Sequence, residues 1–142
     1  MKPRYVSVSV LALGGIILMG LGLYFIFIRP PLLPEDPRFM GTTLAQIQST
    51  MPGLLIWLRR VFWVMGGYIF NTGLLTVYIA VTVFQQLARG GRFVVALASL
   101  ASIGWMAIVN FMIDSDFRWL LLAFNLPWIL ALVIAWREDR QI

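Results

Sequence analysis

The sequence predicts an all-α membrane protein, an antiparallel bundle of four transmembrane helices with a short interfacial helix between the first two. Three observations carry this reading. Four apolar runs occupy positions 6–28, 61–84, 93–113 and 117–136, almost all charge falls between them, and the 142-residue chain is 61% hydrophobic. A helix rises ~1.5 Å per residue, so about 20 residues cross a hydrocarbon core of ~30 Å. Four such runs and their connections fill the chain, which reads as a single domain over 1–142 with no separate soluble unit.

The first run follows Lys2 and Arg4, like the charged start of a signal peptide. Its apolar part is longer than a signal core and ends at Arg29-Pro30 without a small-residue cleavage site, so it reads as a retained anchor. The first connection, 29–60, opens with Pro30, Pro31, Pro34 and Pro37, which impose extended backbone. Thr43 and Gln46 then match a capping box, so a short interfacial helix over about 44–58 is expected. Leu44, Ile47 and Met51 share one face of it, and Pro52 is suited to open a second helical segment running through Trp57, Arg59 and Arg60 into the second span. In the second connection, 85–92, Arg89-Gly90-Gly91-Arg92 reads as a helix end followed by a flexible turn. The third is only Asp114, Ser115 and Asp116, which makes spans three and four antiparallel neighbours, with Ser115 or Asp114 capping the fourth helix.

Formal charge is +5, from 11 Lys plus Arg against 6 Asp plus Glu, and the arginines cluster near span ends. A long basic side chain there reaches anionic headgroups while its stem stays apolar, so the expected partner of these charges is the lipid bilayer. Nucleic-acid binding would need an exposed basic patch, which the pattern lacks. An even number of spans puts both termini on one side. Lys2, Arg4, Arg89, Arg92, Arg137 and Arg140 lie there, against Arg29, Arg38, Arg59, Arg60 and Arg118 opposite. That bias places both termini in the cytoplasm, in a membrane expected to be the bacterial cytoplasmic (inner) membrane.

Cysteine and histidine are both absent. Disulfides, thiolate catalysis, imidazole acid–base steps and histidine-ligated haem or metal sites are thereby excluded. Phosphate loops, serine-hydrolase elbows and zinc patterns are missing too. Asp114 and Asp116 alone supply too few oxygens for a divalent cation. The expectation is therefore no catalytic residue, no cofactor and no metal. All six carboxylates fall in connections or the tail, which argues against proton-coupled transport through a carboxylate inside the spans.

Polar groups at span depth are the remaining candidates. Asn71, Thr72 and Asn125 fall at matched depth in spans two and four and would form an intramembrane polar cluster, beside a carbonyl freed by Pro127. Amides there also serve as plain interhelical glue, at ~1 kcal/mol each. A second cluster, Asn110, Asp114 and Arg118, follows at four-residue spacing across the third connection. Glu35, Asp36, Arg38 and Arg59 could act on headgroups but read as a solvated loop.

Small residues mark expected contact faces: Gly14, Gly15, Gly66, Gly67 and Gly73 in spans one and two, Ala98 and Ser102 in span three, and Ala123, Pro127, Ala131 and Ala135 in span four. Trp57, Trp63, Trp119 and Trp136 suit interface anchoring, whereas Trp105 and Trp128 lie deeper and read as packing residues. The leading expectation is a non-enzymatic accessory or scaffolding component of a membrane assembly, meeting a membrane-protein partner or a second copy of itself. The alternative is a binder or carrier of a lipid or small neutral solute, through a polar pocket between spans two and four.

Overall fold

The computed structural model describes residues 4–84, 86 and 89–139, all helix, turn or loop with no strand among them. Seven helices follow in order: α1 (Arg4–Phe27), α2 (Glu35–Phe39), α3 (Leu44–Thr50), α4 (Pro52–Thr82), α5 (Arg89–Met112), α6 (Arg118–Ala123) and α7 (Leu126–Asp139). Among the described residues, four stretches are long and apolar enough to cross a membrane: Val6–Phe27, Pro52–Thr82, Gly90–Met112 and Arg118–Glu138.

The helix boundaries follow local chemistry. The Thr43 hydroxyl accepts from the Gln46 N–H at 3.2 Å and starts α3. The Gln46 side chain pairs with the Thr42 hydroxyl rather than returning to Thr43, so only half of the expected capping box forms. The expected interfacial helix over 44–58 is divided: Pro52 has no N–H to continue α3, Met51 turns out at φ −140°, and Pro52 opens α4. From there α4 continues unbroken for 31 residues, ~46 Å, well beyond the predicted second span.

The second connection also differs from expectation. Helix α4 closes at Val83 and Phe84, whose N–H groups both turn back to the Ile79 carbonyl, and buried Phe84 anchors the turn. Gly90 and Gly91 lie inside the first turn of α5 rather than in a flexible link, while positions 85, 87 and 88 are outside the described residues.

The fourth span is interrupted. Pro127 cannot bond to the Ala123 carbonyl, and the chain leaves helical pairing at Phe124 and Asn125. The Asn125 N–H goes to Leu122, and its side-chain amide donates to the Leu121 carbonyl at 2.8 Å, replacing the backbone bond that a continuous helix would make there.

Glycines bring α1 and α4 into backbone contact. An added Cβ at Gly15 would lie 2.8 Å from the Gly73 carbonyl oxygen, and one at Gly22 would lie 2.7 Å from that of Gly66. These pairs, seven residues apart on each helix, establish that α1 and α4 run antiparallel. A seven-residue repeat keeps one seam in contact along a left-handed crossing. Gly15, Gly66 and Gly73 lie on this face as expected, joined by Gly22, whereas Gly67 faces open space.

On another side of α1, fully buried Trp128 of α7 covers Gly14, and Ala131 and Ala135 are buried along the same helix. Helix α7 thus packs antiparallel to α1, joined at the terminal end by the Ser7 hydroxyl donating to Glu138 at 2.8 Å. Helix α5 packs on α6 and α7, whereas α4 and α5 touch sparsely. Trp128 is the packing residue expected. Trp105 is not, at 69% exposed.

The glycine seam yields a paired test. Gly73→Ala places a Cβ 2.5 Å from the Gly15 oxygen, whereas Gly67→Ala meets nothing. Both gain similar helix propensity, about 1 kcal/mol, so the contact decides the difference. Thermal unfolding in detergent should show Gly67→Ala equal to or above the parent protein and Gly73→Ala destabilised by about 1–3 kcal/mol.

Candidate functional site

The first connection folds back onto the helix ends. Pro34 precedes α2 at φ −57°, and the Asp36 carboxylate accepts from the Leu33 N–H at 2.7 Å, which closes the turn. Arg29 lies 3.6 Å from Asp36, donates to the Pro30 carbonyl at 3.0 Å, and places its guanidinium 3.6 Å from the centre of the Phe62 ring. Phe62 meets Phe25 edge to face at 6.0 Å. The Arg29 side chain is only 9% exposed. Burial pushes its pKa down, opposed by Asp36, then Tyr24 and Glu35. Arginine starts so high that it stays charged.

Glu35 is the unexpected residue. Its setting among prolines suggests a solvated loop, yet it is 1% exposed. One carboxyl oxygen, Oε1, accepts from the fully buried Ser115 hydroxyl at 2.8 Å. The other, Oε2, is buried without a hydrogen-bond partner among the described residues. Ser115 also accepts from the Phe117 N–H at 3.2 Å, so one hydroxyl shapes the start of the fourth span and holds α2. The helical N-cap position itself falls to Phe117, without a side-chain cap, rather than to Ser115 or Asp114. A second, exposed tie runs from Arg38 to the Asp114 carbonyl at 3.1 Å and to Asp116 at 3.4 Å.

Beneath α2 lies a cavity of about 530 Å³, within the ~300–1,000 Å³ usual for small-molecule sites. Tyr24 and Phe25 of α1, Phe62 of α4, Val109 of α5 and Phe124 beyond α6 give it an apolar wall. Arg29, Glu35, Asp36 and Asn110 supply the polar positions. Exposed Met65 of α4 and Trp105 of α5 also line it, so it opens sideways between these two helices, which touch only sparsely.

The expected Asn71, Thr72 and Asn125 cluster is not assembled. The buried positions of α4 are Gly66, Ile69, Gly73, Thr76 and Ala80, and Asn71 is about 200° around the helix from Ile69 and from Gly73. Asn71 is accordingly exposed, and Thr72 bonds to the Tyr68 carbonyl of its own helix at 2.9 Å. Asn125 is buried beside Gly104 of α5, with its carbonyl oxygen lacking a hydrogen-bond partner among the described residues, at an open apolar trough between α5 and the fourth span. Matched depth said nothing about direction around the helix.

The second expected cluster divides as well. Arg118 pairs with Asp114, but the Asn110 side chain donates to the Met106 carbonyl at 2.9 Å, and Asn110 is among the residues lining the cavity beneath α2. The signal that could have indicated the cavity is Leu33, an apolar residue inside a polar connection, which lines it. Nothing in the sequence paired Glu35 with Ser115.

Ser115→Ala leaves both Glu35 oxygens unpaired in a buried setting and should cost about 1–3 kcal/mol in detergent unfolding, while Ser115→Thr retains most of that stability. No family model, curated protein or solved structure matches the chain.

Proposed function

We propose that the protein is an integral membrane protein, an antiparallel four-helix bundle, that holds an amphiphile in the side-opening cavity without transforming it. Helices of spanning length support the membrane placement, as do the large apolar side chains turned outward on them, including Ile16, Val64, Leu75, Leu97 and Leu130. Such a surface is solvated by lipid and is unfavourable in water. Both termini in the cytoplasm, in a bacterial cytoplasmic membrane, remains the orientation favoured by the basic residues.

The observation that carries the functional reading is the cavity with its lateral mouth and polar end. An amphiphile entering from the bilayer keeps its tail among aromatic and aliphatic side chains and brings its head to Arg29, Glu35 and Asp36. This relocates the solute-binding alternative from Asn71 and Asn125 to the end of the helices covered by α2.

A fluorescent single-chain amphiphile added to delipidated protein in detergent should bind saturably, at one per chain. Val109→Trp and, independently, Ser102→Phe narrow the cavity and should each weaken binding at least ten-fold. Parent-like affinity in both variants would refute the reading.

The accessory or scaffolding role is a second reading, favoured by exposed Phe39, Met40, Leu44 and Met51 around α2 and α3. An apolar strip on a connection can lie in the interface or meet a membrane partner. Crosslinking in mild detergent should then recover a reproducible partner or a homo-oligomer, and a clean monomer would count against it.

A further inference from the structure

We infer that the cavity selects an amphiphile whose polar end is a protonated amine, with Glu35 as the acceptor that reads it. This rests on the amphiphile-binding reading and specifies the headgroup.

The polar end contains two carboxyl groups and one guanidinium. Arg29 is already engaged by Asp36, by the Pro30 carbonyl and by the face of Phe62. Asp36 is engaged in turn by Arg29 and by the Leu33 N–H. Glu35 is different: Ser115 fixes one oxygen, the other is buried without a hydrogen-bond partner among the described residues, and the residue is one of those that line the cavity. A buried polar atom of this kind is costly unless something pairs with it.

The vacant group is an acceptor, so the complementary head is a hydrogen-bond donor, and a charged donor makes the stronger bond to a carboxylate. An anionic head would face Glu35 and find Arg29 already taken. A hydroxyl head would satisfy Oε2 without the charge. The same amine chemistry can arrive on a membrane lipid or on a free long-chain amine, and both present an ammonium beside an apolar chain.

Full-length protein in phosphatidylcholine nanodiscs is titrated with chain-matched dodecylamine, dodecanol and dodecanoate, each competing against the fluorescent amphiphile. The amine should compete at least ten-fold better than either other probe. Glu35→Gln, which keeps the shape and the bond from Ser115, should remove that preference. Asp116→Asn, at an exposed carboxylate outside the cavity, should keep the preference.

Equal competition by all three probes would overturn the headgroup assignment and leave the cavity reading intact. Failure of the fluorescent amphiphile to bind saturably would overturn both. Adding phosphatidylethanolamine to the nanodiscs separates the two sources: weaker binding of the fluorescent amphiphile together with equally weakened competition by dodecylamine and dodecanol identifies the lipid as occupant, and no change identifies a free amine. The selectivity of the parent protein decides the matter even if Glu35→Gln fails to fold.

Discussion

Helices α1 and α4 approach until their backbones touch, and this is possible because Gly15, Gly22, Gly66 and Gly73 remove the side chains that would hold them apart. Lipid solvates apolar side chains as well as a protein core does, so association within a membrane depends on close packing rather than on escape from water. A seam with no intervening side chains maximises that packing. Trp128 laid across Gly14 fixes α7 on α1 by the same means. With α1 committed to both neighbours, α4 is held where it meets α5 only sparsely, and the space left between them is the mouth of the cavity.

The end of that space is finished by the first connection. Its prolines stiffen the exit from α1, the Asp36 turn directs α2 back over the helix ends, and Ser115 and Arg38 tie α2 to the third connection. Two segments separated by 80 residues in sequence therefore form one cap. A carboxyl group placed under that cap with one oxygen unpaired lowers stability, and such a cost is commonly borne where a ligand supplies the missing bond. The terminal end uses the same Ser-to-Glu bond, between Ser7 and Glu138, but its glutamate does not line the cavity.

The four stretches long and apolar enough to cross a membrane were legible because hydropathy and length depend on composition alone. So were the break at Pro52 and the Thr43 cap, which follow from local backbone chemistry. The direction of polar side chains was not. Asn71 and Asn125 share a depth, but a glycine face on α4 turns Asn71 outward, and that face becomes visible only when Gly22 and Gly66 are seen to meet. Glu35 was hidden for a related reason: a charged residue between prolines looks solvated, and its burial depends on Ser115, a distant residue whose own motif suggested only a helix cap. The interruption at Asn125 was half visible through Pro127, while the amide that completes it needed the coordinates.

The most direct test of the cavity is where an amphiphile lies when it is bound in a bilayer. A diazirine-bearing single-chain amphiphile, photolysed in membranes containing the protein and mapped by peptide mass spectrometry, should label Phe62, Val109 and Phe124 saturably and be displaced by its unlabelled counterpart. Labelling spread over outward positions such as Leu75 and Val133, rising linearly with probe and unaffected by competition, would contradict a bound occupant between α4 and α5.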